Sequence, residues 1–435
     1  MGWDFETEPE FQAKLDWIDD FVRSEIEPLE LLPGLHPSDS SNTRLRSVIR
    51  RLQDQVKAQG LWACHLGPEL GGQGYGQVKL ALMNEIIGRS QWAPYVFGSQ
   101  APDSGNAEIL AHYGTAEQKA TYLRPLLDGD ISSCYSMTEP QVSGSDPTLQ
   151  RTTAVLDGGE WVVNGEKWFQ TNAQYADFFI VMAVTEPEAD NPYQRMSLLI
   201  VPAGTPGLEF VRHLEVAGES SARTSHSYLR FTDVRVPASS LLGERGGAFA
   251  IAQTRLGGGR IHHAMRAIGR ARQAFDMLCE RAVSRQVRQG PLAAMQFTQQ
   301  KVADSWIEIE QFRLLVLRTA WLIDRHRDYR KVRKDISAVK VAMPAVLRNV
   351  AQRAMHIHGA LGVSDELPLA AMAHVAEVMG IVDGPTEVHK IVLAREILAG
   401  YEPVAGPWPS AHVPTRREAA RLKYAELLEH TIAAF

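Results

Sequence analysis

The stretch Thr152-Thr153-Ala154-Val155-Leu156-Asp157-Gly158-Gly159-Glu160-Trp161-Val162-Val163 decides the architecture. Residues 152–156 and 161–163 are rich in β-branched and aromatic side chains, and Asp157-Gly158-Gly159 between them is a turn signal. The reading is a β-hairpin with a short loop. Further strand candidates follow at 178–184, 197–201, 208–211 and 227–236. Apolar strands broken by turns every ten or so residues suggest a small barrel or sandwich.

Both flanks of this β region carry helical spacing instead. On the N-terminal side Phe11, Leu15, Ile18, Phe21 and Ile26 recur at roughly one helical turn, as do Val48, Leu52 and Val56. The break Gly67-Pro68-Glu69-Leu70-Gly71-Gly72-Gln73-Gly74 separates them from expected helices at 78–88, 105–113 and 118–127. On the C-terminal side Ile261, Met265, Ile268, Phe275, Leu278 and Ala282 form one apolar stripe. Val302, Trp306, Ile309, Phe312, Val316 and Ile323 form a second, and Ile336, Val339, Met343, Val346 and Val350 a third, with a kink expected at Pro344. Residues 386–398 complete four helices, which bury their stripes most simply as a bundle. A proline-rich linker after Gly400 and a charged helix at 416–434 close the chain. The expected fold is α+β and multidomain: helices over 1–130, a β domain over 131–244, a four-helix bundle over 245–400, and a linker with a terminal helix over 401–435.

Composition narrows the function. Hydrophobic residues make up 45% of the chain and charged residues 22%, both globular values. A formal net charge of −6 argues against a nucleic-acid binder. Cys64, Cys134 and Cys279 show neither disulfide nor metal spacing, which points to a reducing compartment. The first twenty residues lack the basic and apolar regions of a signal peptide, and no apolar run reaches membrane-spanning length. The expected location is cytoplasmic for a bacterial chain, with a mitochondrial or peroxisomal matrix left open.

The chemistry concentrates at Ile381-Val382-Asp383-Gly384-Pro385-Thr386-Glu387-Val388-His389-Lys390. Asp383 follows two apolar residues, and greasy neighbours raise a carboxylate pKa toward the range of a general base. The helix starting after it acts in the opposite sense, and burial is expected to prevail. Read alone, the segment is better described as an ordinary helix start.

Other segments favour the catalytic reading. Tyr135-Ser136-Met137-Thr138-Glu139-Pro140 with Gly144-Ser145-Asp146, and Asn164-Gly165-Glu166-Lys167-Trp168-Phe169-Gln170-Thr171-Asn172, resemble the two flavin-facing loops of the acyl-CoA dehydrogenase family. Gly257-Gly258-Gly259-Arg260-Ile261-His262-His263 resembles the opening of that family's first bundle helix, and Arg285 with Gln296 its cross-subunit cofactor contact. His356-Ile357-His358-Gly359 resembles a glycine-rich turn with the same role. Gln100-Ala101-Pro102-Asp103-Ser104-Gly105-Asn106 and the Arg260–Arg266 stretch are similar to the member-ten and member-eleven branch, whose animal forms carry an extra kinase-like domain not matched in this sequence. That branch also has aspartate before Gly-Pro.

The resemblance implies FAD as cofactor, α,β-dehydrogenation of an acyl-CoA, and Asp383 as the base that takes the α-proton while hydride passes to flavin N5. It places Tyr135, Met137, Thr138, Ser145, Phe169, Thr171, Pro385 and Glu387 on the flavin, and Arg285, Gln296, His356 and Gly359 on a partner subunit's FAD. Ser145, Arg260 and Gly384 fall to the thioester. Phe169 stands where the family has tryptophan, with Trp168 one residue earlier, so either ring could meet the flavin. Electron-transfer flavoprotein is the expected acceptor, a dimer or tetramer the expected assembly, and fatty-acid β-oxidation the expected setting. Competing readings are a flavin oxidase of the same fold, acting on acyl-CoA or a nitroalkane, and a non-catalytic assembly protein. No metal is expected, because adjacent His262 and His263 point to different helix faces.

Overall fold

A computed structural model describes residues 5–39, 41–68, 72–216 and 226–427. The N-terminal helices Pro9–Phe21, Thr43–Ala58, Gly76–Ile87 and Asp103–Tyr113 bury the apolar positions of their stripes, Phe11, Leu15, Ile18, Leu52 and Val56 among them. The glycine-rich break at 67–74 includes residues 69–71, which lie outside the described set.

Among the described residues the middle region is one mixed sheet of eight strands: β1 (Ser133–Ser136), β2 (Thr153–Asp157), β3 (Glu160–Thr171), β4 (Phe178–Val184), β5 (Met196–Pro202), β6 (Leu208–Leu214), β7 (His226–Pro237) and β8 (Leu241–Leu242). Their order is β6-β7-β3-β2-β4-β5-β8, with β1 parallel to β4. The decisive hairpin is β2–β3, closing with Asp157 opposite Glu160. Its two-residue loop, Gly158 and Gly159, has φ of +59° and +88°, the left-handed pair that matches strand twist. β3 runs much further than residues 161–163, straight through the second flavin-like segment, and β1 had no signal of its own. β4 is apolar at nearly every position because both of its faces are covered. Phe179 and Val181 join Trp161, Leu199 and Phe231 in a core inside the folded sheet, while Phe178, Ile180 and Met182 pack against Leu110, Leu126 and Ile251 outside it.

The C-terminal region contains helices Ala248–Ser284, Gln296–His326 and Arg333–His358, each burying most of its predicted stripe; Trp306 of the second stripe is the exception, 56% exposed. Two further expectations need correction, the placement of the glycine triplet and the identity of the fourth core helix. Gly257, Gly258 and Gly259 do not precede the first helix but lie inside it. The third helix runs unbroken through the buried Pro344, with Val339, Met343, Leu347 and Val350 anchoring it on both sides. The fourth core helix is Leu369–Met379, which buries Leu369, Met372 and Ala376. Helix Thr386–Leu398 buries only His389 and leaves Ile391 and Leu398 exposed. The alanine-rich run from 370 to 376 gave no clear stripe, so its burial was missed.

Among the described residues no helix is long and apolar enough to cross a membrane. The tail helix spans Val413–Lys423 with no buried side chain; residues 428–434 of the expected helix lie outside the described set.

Candidate active site

A cavity of about 1270 Å³ opens between the folded sheet and the bundle, and it draws together segments far apart in sequence. Tyr135, Met137, Thr138, Ser145, Phe169 and Thr171 line one side. Arg260, Asp383, Gly384 and Pro385 line another. Glu387 is exposed on the following helix and does not line it. Arg285, Gln296, His356 and Gly359 also lie outside it. Arg285 and Gln296 flank a small hairpin formed by Gln286–Val287 and Gly290–Pro291, and both are exposed. His356 is exposed in the last turn of its helix, and Gly359 follows with φ +66°.

The sheet-side wall is tied down from behind. Thr138 donates its hydroxyl to the Trp168 carbonyl at 2.6 Å, and the Trp168 N–H donates to the Thr138 carbonyl at 3.1 Å. The Thr138 hydroxyl is therefore engaged with the neighbouring loop. Lys167 donates to the Met137 carbonyl, Glu139 Oε1 and Gln150 Oε1, at 2.9, 2.9 and 2.6 Å. Glu139 also accepts the N–H groups of Arg151 and Thr152 at 2.7 and 2.9 Å. Burial pushes the Lys167 ammonium down to about 8 against the pull of Glu139. For Glu139, burial pushes upward, but Lys167 and the backbone donors outweigh it and hold the carboxyl below its usual range.

A bulge between Lys167 and Gln170 turns β3 at this point, and Phe169 takes φ +52°. Phe169 and Trp168 both line the cavity as an edge-to-face pair with centroids 5.0 Å apart. The Thr171 hydroxyl meets His226 Nδ1 at 3.1 Å.

Two polar atoms of this wall, the Tyr135 hydroxyl and Gln170 Oε1, are buried with no hydrogen-bond partner among the described residues. Buried polar atoms are rarely left unmet. A planar heteroaromatic ligand carrying its own donors and acceptors fits such a wall, so these residues suit a flavin.

The bundle-side wall presents Asp383. It sits in the turn after Leu369–Met379 with φ +55°, a region open to aspartate more than to most residues, and Gly384 follows at φ +103°. The backbone is clamped: Arg260 Nε donates to the Asp383 carbonyl at 2.9 Å, and His389 Nε2 lies 3.2 Å from the same oxygen. The carboxylate is left to the cavity, with His263 Nε2 at 3.6 Å from Oδ2. Burial and the nearby Arg266 push His263 down to about 4, so it is neutral at pH 7.

Gly259 makes room for the carboxylate, since a Cβ there would lie 3.1 Å from Oδ2. That explains a glycine inside a helix, where it is unfavourable by ~1 kcal/mol relative to alanine. The greasy enclosure expected from the sequence is only partial. Ile381 is 68% exposed, and the charged neighbours acting on Asp383 include Arg260, Arg266 and Lys340. Burial pushes Lys340 down to about 8, and its ammonium bonds the Met379 carbonyl at the end of the preceding helix.

Sequence reasoning missed Lys340, Arg255 and the Glu139–Lys167 pair as parts of the site. The pair stood inside the quoted motifs, but nothing in the spacing shows that two residues 28 apart meet. Lys340 sat in an apolar stripe, where a lone lysine is a legible signal of an enclosed charge. No three His, Cys, Asp or Glu side chains among the described residues cluster as a metal site.

Comparison with known proteins agrees with this geometry. Family profiles described as acyl-CoA dehydrogenase N-terminal, middle and C-terminal domain match residues 8–130, 134–234 and 246–398. The chain is 41% identical over 399 residues to the Mycobacterium tuberculosis protein named "Probable acyl-CoA dehydrogenase FadE2", covering 91% of this chain and 93% of that one. It is 39% identical to acyl-CoA dehydrogenase family member 11 of Gallus gallus, covering 87% of this chain and about half, 49%, of that longer protein. The fold superposes on butyryl-CoA dehydrogenase from Megasphaera elsdenii with TM-score 0.77 at 27% identity, over 91% of this chain and 100% of the other. The chain belongs to the acyl-CoA dehydrogenase family, FAD-dependent oxidoreductases that act on acyl-CoA.

Proposed function

We propose that the protein dehydrogenates an acyl-CoA between its α and β carbons, with Asp383 as the base. The carrying observation is that Asp383, held in a left-handed turn, opens into the same cavity as both flavin-facing loops. FAD, when bound, supplies the hydride acceptor. Asp383 takes the α-proton on its carboxylate, and the Arg260 and His389 contacts to its carbonyl keep that carboxylate aimed while it does so. His263 stays neutral and does not compete for the charge. Neither Glu139, locked to Lys167, nor Glu387, outside the cavity, is placed to act as a substitute base.

In this reading Arg285, Gln296, His356 and Gly359 serve the cofactor of a second subunit, which fits their exposure and distance from the chain's own cavity. An electron-transfer flavoprotein then reoxidises the enzyme. The test is a panel of acyl-CoA thioesters with an artificial electron acceptor, with hydrogen peroxide assayed in parallel. Turnover that needs the acceptor supports dehydrogenation; peroxide formed in air at the same rate without it marks an oxidase.

A further inference from the structure

The flavin-loop side of the cavity contains a cation that no described residue neutralises. Lys167 lies behind β3 and is paired to Glu139. Burial lowers His226 below its usual value and keeps it neutral. Arg255 is different. It lines the cavity, and its guanidinium lies over the Tyr135 ring at 4.1 Å from the centroid. Its Nε donates to Asn106 Oδ1 at 3.0 Å, a neutral partner. Gly105 gives it room, since a Cβ there would lie 2.9 Å from Arg255 Cγ.

Glu108 is the carboxyl that acts on Arg255 from further off, and burial pushes it up to about 8. The titratable groups around Glu108 are Arg255 and His262 of the long helix and Tyr329. Burial holds His262 and Tyr329 in their neutral forms. At pH 7 Arg255 is thus the charged member of this group.

We propose that Arg255 is an electrostatic positioning residue for FAD: stacked on Tyr135 and fixed by Asn106, it places a positive charge at the cofactor that favours its electron-rich reduced form. The proposal rests on the reading that this cavity holds FAD. Cation–π contact fixes the Tyr135 ring plane as well as the charge.

The experiment is dye-equilibrated potentiometry on the full-length, FAD-loaded protein. Arg255→Gln is expected to shift the balance of oxidised to reduced cofactor about tenfold toward oxidised, ~30 mV for a two-electron couple. Arg255→Lys is expected to recover at least half of that shift, because the charge survives without the planar stack. Glu108→Gln should leave the potential at pH 7 unchanged, and should remove the extra fall that ionised Glu108 adds above pH 8. An unaltered potential in flavin-loaded Arg255→Gln overturns the proposal. So does loss of flavin from Arg255→Gln that Arg255→Lys does not restore, since that marks a packing role; restoration by lysine supports the charge. Wild-type protein that takes up no FAD overturns the cavity reading itself and is told apart by its colourless spectrum.

Discussion

The two walls of the cavity are built in opposite ways. On the sheet side the Lys167–Glu139 pair is consumed within the protein: Lys167 spends its donors on Met137, Glu139 and Gln150, and Glu139 takes two backbone N–H groups besides. On the bundle side the backbone of Asp383 is clamped, while its carboxylate faces the cavity with His263 at 3.6 Å. Under the proposed function, the difference separates holding from reacting. A surface that orients a cofactor gains from having no freedom, whereas a base needs a fixed origin and an unspent lone pair.

The comparison breaks most sharply at the reactive wall. Asp383→Asn preserves shape and removes the proton acceptor, so turnover should fall by at least ~10²–10⁴-fold with FAD retained. Steady-state rates beside the visible spectrum check this; near-native turnover would reassign the base. Asp383→Glu keeps the acceptor but advances it by about a bond length, and a displacement of ~1 Å can lower the rate by ~100-fold.

Lys167→Met strikes the holding wall. It strands a buried Glu139 carboxylate, and removing one partner of a buried pair typically destabilises by ~3–5 kcal/mol. Denaturant midpoints should fall and cofactor should be lost together. The double change Lys167→Met with Glu139→Met should recover part of the stability. An unchanged midpoint in the single variant would show that the pair does not pin the wall.

Gly259→Ala sharpens the contrast, because it should move two measurements in opposite directions. The new Cβ, 3.1 Å from Asp383 Oδ2, displaces the carboxylate by a few tenths of an ångström. The rate should drop by about tenfold, less than for a full ångström, while helix propensity raises stability by up to ~1 kcal/mol.

The smallest effect is in the pH dependence of folding. Lys340 is held down at about 8, below an unfolded lysine. Between pH 8 and the unfolded value near ~10.4 the unfolded chain binds more protons, so this residue makes stability rise with pH through that window. Lys340→Met should flatten the rise by about 1 kcal/mol, read from denaturation at pH 7.5 and 9.5.

Much of the layout was legible because it rests on local periodicity. The Phe11–Phe21 stripe, the β2–β3 turn and the three long bundle stripes each repeat on the scale of their own element. Legibility failed where burial is set by distant neighbours. Leu369–Met379 is buried on alanine, which periodicity barely registers. The glycine triplet reads as a break locally, yet it is helical because Asp383 and the Tyr329 ring need the space. In the site, the motifs picked out Asp383 and the two segments that line one cavity with it. Arg255 and Glu108 were not picked out, because what distinguishes them is desolvation by segments far away in sequence; Lys340 carried a local signal, a lysine within an apolar stripe, that was not read.

The glycine triplet has a mechanical meaning as well. Helix Ala248–Ser284 is a single element seated in two separate cores: Ala248, Ile251 and Ala252 belong to the one against the sheet, and Ile261 onward to the bundle's. Residues 257–259 fall between the two seats, where the helix has neither β-carbons nor favourable propensity to reinforce it. The stretch is a joint, and sub-global opening starts at such low-stability places. Its amides should exchange with solvent ahead of those on either side, and the wall facing Asp383 lies at that joint.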